Sequence, residues 1–192
     1  SHTCTHGALG AFSTGMGSTD LAFAMITGGN WFKVPESIKV VLSGKPNKHT
    51  TGKDIILEII RLIGVDGALY KTLEFTGSTI EHLNMDDRFS MCNMAIEAGA
   101  KSGIVAYDAI TKEFLADKDL AREPKVHYSD EDASYVQILE IDVANLEPVI
   151  AYPFLPSNGH SITQAVKDHI KIDQAFIGSC TNGRLGDLKT AA

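Results

Sequence analysis

The chain has 192 residues, enough for one large or two small domains with a packed core. Its hydrophobic share of 44%, charged share of 21% and formal net charge of −7 are ordinary for a globular protein, and without any Lys/Arg-rich run they exclude nucleic acid as a partner. No apolar run approaches the roughly 20 residues that span a bilayer, no signal pattern opens the chain, and the three cysteines lie far apart, so a cytoplasmic protein without disulfides or membrane contact is expected.

Residues 1–30 are rich in Gly, Thr, Ser and His and end in an apolar run, Leu21 to Ile26, that reads as a helix. Ser18, Thr19 and Asp20 are its candidate caps, and Gly28-Gly29 its stop. Ile38 to Leu42 predicts a strand. Gly44 to Lys53 has glycines but not the spacing of a phosphate loop, and Asp54 stands where a magnesium-binding hydroxyl would be needed. Thr50 or Thr51 instead caps an amphipathic helix carrying Ile55, Ile56, Ile59, Ile60 and Ile63. Leu73 to Phe75 reads as a strand, and Ser78-Thr79-Ile80-Glu81 has the capping-box pattern of a brief helix. A helix over 86–98 follows, then a strand at 104–107, a helix at 109–116, a charged connection at 117–132 and a strand at 136–141. Beyond a Pro-rich loop, a helix at 162–169 leads to a short apolar run, Ala175 to Ile177, which reads as a buried strand end. The alternation of strands and helices predicts an α/β fold. Its division is expected to be a tail of one domain in 1–35, a second domain in 36–144 and the start of a third in 145–192.

Two stretches carry chemistry. In the first, Gly178 to Arg184, Cys180 sits among Ser, Thr and Asn in what reads as a strand-to-helix turn, where backbone N–H groups and a helix dipole favour a thiolate. The second is the 86–98 helix. At 100° per residue, Asp86, Ser90, Asn93 and Glu97 fall within roughly a 60° stripe, and apolar side chains, Cys92 among them, cover the rest. Such a helix is buried, and its polar stripe is expected to face an internal cleft, although a stripe facing water is the plain alternative.

Ser1-His-Thr-Cys-Thr-His-Gly, Cys92-Asn-Met-Ala-Ile-Glu-Ala-Gly-Ala and Gly178-Ser-Cys-Thr-Asn-Gly-Arg, in this order, resemble the aconitase superfamily over essentially the whole chain. Thr5-His6-Gly7 looks like its isopropylmalate and homoaconitate branch. The resemblance implies three-layer α/β/α domains and a hydro-lyase that dehydrates and rehydrates 2-isopropylmalate to 3-isopropylmalate in leucine biosynthesis, or else homoaconitate. It implies a [4Fe–4S] cluster with an open iron as Lewis acid, a separate small subunit as partner, and a small di- or tricarboxylic acid as substrate. On the matching positions, Cys180 would be a cluster ligand, Ser1 a substrate-carboxylate contact, and His2, Asn93 and Glu97 the catalytic groups near the reacting oxygen. Cys4 and His6 would shape the turn.

The chain lacks the C-x-x-C pair of the family's other cluster ligands and the Asp that precedes Ser-His-Thr. A central piece of a longer protein, inactive alone and without a cluster, is therefore expected. From other classes, a hydrolase using Cys180 or the amino-terminal Ser1 as nucleophile, or a non-catalytic module, remains open.

Overall fold

The structure, a computed structural model, describes residues 2–191. A 3₁₀ helix, His2–Leu9, opens it, followed by α1 at Ser18–Thr27, β1 at Ser37–Ser43, α2 at Gly52–Ile63 and β2 at Thr72–Thr76. A 3₁₀ turn, Ser78–His82, leads into α3 at Met85–Asn93, which tightens into a second 3₁₀ stretch, Met94–Ala98. Next come β3 at Ser102–Val105, α4 at Ala109–Leu115, β4 at Gln137–Asp142, a hairpin of β5 at Val149–Ala151 and β6 at Gly159–Ser161, α5 at Ile162–Asp168 and α6 at Leu185–Ala191.

Four strands form one parallel sheet in the order β3-β2-β1-β4, with Ser37 opposite Thr72, Thr72 opposite Ser102 and Ile38 opposite Gln137. Parallel neighbours need crossover connections, and α2 and α3 supply those from β1 to β2 and from β2 to β3, which makes this an α/β fold. Along β1, Ile38, Val40 and Leu42 are fully buried and join Ile55, Ile56, Ile59 and Ile60 of α2 in the core with Leu73, Phe75, Met91 and Val105. Thr51 and Asp54 form the capping box of α2, worth about 1 kcal/mol, whereas each buried isoleucine contributes about 1.5–3 kcal/mol, so burial sets where α2 lies. Asp54 also explains why no phosphate loop forms here: one carboxylate oxygen accepts from the Thr51 N–H at 2.7 Å and the other from the Val149 N–H at 2.8 Å, tying the hairpin to the helix.

Several local expectations are corrected. The residue preceding α1 is Gly17, which makes no side-chain cap, so Ser18, Thr19 and Asp20 lie in the first turn; Gly28 closes the helix in the left-handed region as expected. Ser78 and Thr79 do not form a capping box, because both hydroxyls turn to Gly44: Ser78 Oγ accepts from its N–H and Thr79 Oγ1 donates to its carbonyl. The strand expected at 104–107 is Ser102–Val105; pairing with Thr72–Phe75 fixes it two residues earlier, and the small Ser102 and Gly103 are buried because the opening 3₁₀ helix packs on them. A Cβ on Gly7 would lie 1.7 Å from the Gly103 carbonyl oxygen. Ala175 to Ile177 is not a strand end. The run joins neither sheet, and without a ladder Phe176 stays 82% and Ile177 58% exposed.

Candidate active site

The single helix expected over 86–98 ends at Asn93. There its backbone carbonyl is taken from outside, by His2 Nδ1 at 3.2 Å and by the Cys4 thiol at 3.4 Å, and the last turn tightens to 3₁₀ before Gly99 stops it at φ 82°. The polar stripe therefore does not face water. Ser90 and Asn93 are each 1% exposed, and Asp86 and Glu97 are half-buried.

Asn93 is the meeting point. Its Oδ1 accepts from Thr181 Oγ1 and its Nδ2 donates to Thr5 Oγ1, both at 2.8 Å. The side chain thus joins the opening turn, α3 and the Cys180 turn, segments about 90 residues apart in the chain. Ser90 Oγ adds a second link by donating to the Thr181 carbonyl at 2.7 Å.

His2 lies beside Glu97, with Nε2 3.7 Å from Oε1, an ion-pair distance longer than a direct hydrogen bond. A carbonyl can only accept, so Nδ1 carries the hydrogen toward Asn93, and Nε2 is the nitrogen that faces the carboxylate. Burial pushes the Glu97 carboxyl above its ordinary range, and His2 opposes the shift. Glu97 Oε2 is buried with no hydrogen-bond partner, an acceptor left unpaired inside the cluster. Cys4 lies 1% exposed nearby, and burial first, then the charge of Glu97, raises its thiol.

Cys180 is exposed, in a turn where Gly178 has φ 156° and Ser179 φ 78°. It does not open a helix directly: α6 begins at Leu185, and the turn is instead held by Arg184, whose Nη2 donates to the Cys180 carbonyl at 3.1 Å. Cys92 lies fully buried in the core, where burial drives its thiol strongly upward, so it is not presented to a metal. Ser1 lies outside the described residues. The structure therefore brings His2, Asn93, Glu97 and the Cys180 turn together. Sequence reasoning missed Thr5, Thr181 and Arg184 as parts of the cluster. Periodicity places Ser90 on the stripe, but nothing local marks hydroxyls that meet it from distant segments.

Among the described residues, no three His, Cys, Asp or Glu side chains converge to hold a metal ion, and no helix is long and apolar enough to cross a membrane. A cavity of about 650 Å³ reaches Asp86 and Asp187, but its lysines, Lys48, Lys53 and Lys189, are matched by Asp86, Asp87 and Asp187, so charge gives it no preference for an anion.

The sequence profile of the aconitase family (aconitate hydratase) matches residues 1–192. The chain belongs to the aconitase family. It is 89% identical over 192 residues to the 3-isopropylmalate dehydratase large subunit of Sulfurimonas denitrificans, 78% to that of Campylobacter concisus, and 76% over 197 residues to that of Aliarcobacter butzleri. Each match covers all of this chain and 46% of the relative, so the chain spans about half the length of the curated relatives it matches. The family implies a [4Fe–4S] cluster in the whole enzyme. Of the three cysteines only Cys180 is exposed to serve it, next to a cluster with one unpaired carboxylate oxygen, so this chain fits one edge of such a site and not the whole.

Proposed function

We propose that this chain is part of the large subunit of a 3-isopropylmalate dehydratase, a hydro-lyase that moves a hydroxyl from C2 to C3 of a malate skeleton by dehydration and rehydration. The observation that carries the reading is the convergence of the His2 turn and the Cys180 turn on Asn93. Isopropylmalate is preferred to homoaconitate because relatives 72–89% identical over the full chain carry the dehydratase name. On this reading a small subunit supplies the rest of the pocket, and the substrate is a small dicarboxylic acid. The four strands of the sheet lie between residues 37 and 142, so we read 36–144 as one domain, flanked by parts of two others in 1–35 and 145–192.

Cys180 would be one thiolate ligand of the [4Fe–4S] cluster, with the remaining thiolates coming from outside these 192 residues. When bound, the cluster supplies a Lewis acid for departure of the hydroxyl. Glu97 holds a proton to higher pH than an ordinary carboxyl, which suits a group that gives or takes one, with Oε2 the free oxygen to do it. His2 faces Glu97 through Nε2 while Asn93 fixes its other nitrogen, so the ring is aimed rather than free to flip. Asn93 acts here by position: both ends of its amide are engaged, and it holds the two turns in place. Ser1 would contact a substrate carboxylate. The test is Cys180→Ser in the full-length enzyme, which should abolish the iron–sulfur absorbance because a hydroxyl is a poor ligand for a soft site, while Cys92→Ala leaves it intact. A normal cluster in the Cys180→Ser protein would end the assignment.

A further inference from the structure

The Cys180 turn has little of its own to hold it. Ser179 is in the left-handed region at φ 78°, a backbone conformation that L side chains disfavour, and the apolar run before the turn is exposed. Thr181 is bonded to Asn93 and Ser90, and one guanidinium adds the grip on the Cys180 peptide itself. Arg184 Nη1 donates to the Thr181 carbonyl at 2.9 Å and Nη2 to the Cys180 carbonyl at 3.1 Å, so two consecutive peptide oxygens of the turn are gripped together. Nη1 also reaches Ser90 Oγ at 3.4 Å, and Nε lies 3.8 Å from Asp86 Oδ1, both on the polar stripe of α3. The guanidinium Cζ lies 5.0 Å from the Phe89 ring centre, and Asp187 accepts from the Arg184 N–H at 2.9 Å, which orients the backbone from the other side.

We propose that Arg184 is the positioning residue of this site: it latches the Cys180 turn onto α3 and so sets where the exposed Cys180 is held relative to Asn93 and Glu97. The inference rests on Cys180 being a metal ligand for its purpose, but not for its existence. Arginine is required and lysine will not serve, because only a planar fork can bond two carbonyls and a hydroxyl at once while lying on an aromatic ring; an ammonium is a single point with a longer, freer stem.

Amide hydrogen exchange on the full 192-residue chain tests it without any cluster. Arg184→Ala should speed exchange in residues 178–184 by about tenfold or more, the loss expected when charged hydrogen bonds are removed, while β1, β2 and α2 keep their protection. Arg184→Lys should resemble Arg184→Ala, and added guanidinium ion should restore protection in Arg184→Ala. Should Arg184→Ala disturb the whole fold, the comparison of Arg184→Lys with the parent decides alone. Exchange in 178–184 unchanged within about twofold, or fully retained in Arg184→Lys, overturns the proposal. Failure of the metal-ligand reading shows elsewhere, as an intact cluster in Cys180→Ser, and leaves the exchange result standing.

Discussion

Replacing Asn93 by alanine separates an amide that serves chemistry alone from one that also holds the fold. The side chain is 1% exposed and makes two 2.8 Å hydrogen bonds, to Thr5 Oγ1 and from Thr181 Oγ1. Each such bond is worth about 1 kcal/mol net, and the two hydroxyls left in a partly buried space add about another 1 kcal/mol, so the expected loss is about 2–3 kcal/mol. For a chain of this size that is a fall in melting temperature of roughly 4–12 °C, measurable by calorimetry or circular dichroism. A double-mutant cycle with Thr181→Val isolates the contact that ties down the Cys180 turn and should return a coupling of about 1 kcal/mol. A melting temperature lowered by less than about 1 °C, with no coupling, would refute the claim that Asn93 joins the three segments.

Two further outcomes follow from buried charge. Because the folded Glu97 carboxyl keeps its proton to higher pH than the unfolded one, its contribution to stability declines as pH rises from about 4.3 through the raised value; Glu97→Gln should therefore flatten the stability profile and melt no lower at pH 7, while turnover of the full-length enzyme falls at least about 100-fold, and a variant that melts several degrees lower at pH 7 speaks against this. Arg88, fully buried, pairs both Asp108 oxygens at 2.7 and 2.8 Å and donates to the Ile80 carbonyl at 2.9 Å; urea titration of Arg88→Ala should show a loss of about 3 kcal/mol, the low end for a broken buried pair since Asp108 is one-third exposed, and a loss below about 1 kcal/mol would show that the pair is not a structural anchor. For Asp108, burial acts upward, but the Arg88 bonds outweigh it and hold the carboxyl below its usual range. The pair's contribution is thus present above about pH 3.9 and fades as pH falls through the lowered value.

The parts of the fold that were legible are those whose signal is local. Ile38 to Leu42 and the isoleucine face of α2 each carry their pattern within a dozen residues and stand where the pattern puts them, and of the two candidate caps, Thr50 and Thr51, the structure uses Thr51. Ala175 to Ile177 carries a strand pattern too, but a strand also needs a neighbour, and no sequence window contains one. The same limit displaced β3 by two residues: Ser102 and Gly103 carry no apolar strand pattern, and they join the strand because β2 pairs with them and Gly7 closes over them. On the candidate site, the periodicity of α3 exposed Ser90 and Asn93 as a polar face in an apolar helix, whereas Thr5, Thr181 and Arg184 became visible only when chain segments 88 to 94 residues away came to that face.

The break at Asn93 ties these observations together. In a continued α-helix, the Asn93 carbonyl would accept from the Glu97 N–H and could not serve both His2 and Cys4 with its two lone pairs. Passing from 100° to 120° per residue over the four steps to Glu97 swings its side chain roughly 80° further around the axis than the straight helix would place it. One backbone event thus opens the carbonyl that receives the His2 turn and turns the carboxylate toward the ring of that same histidine, 3.7 Å from Nε2. The stripe read from the sequence put Asn93 and Glu97 on one line. The structure sets the Asn93 backbone carbonyl against Nδ1 of His2 and the Glu97 carboxylate opposite Nε2, so a single imidazole is fixed by one and faces the other.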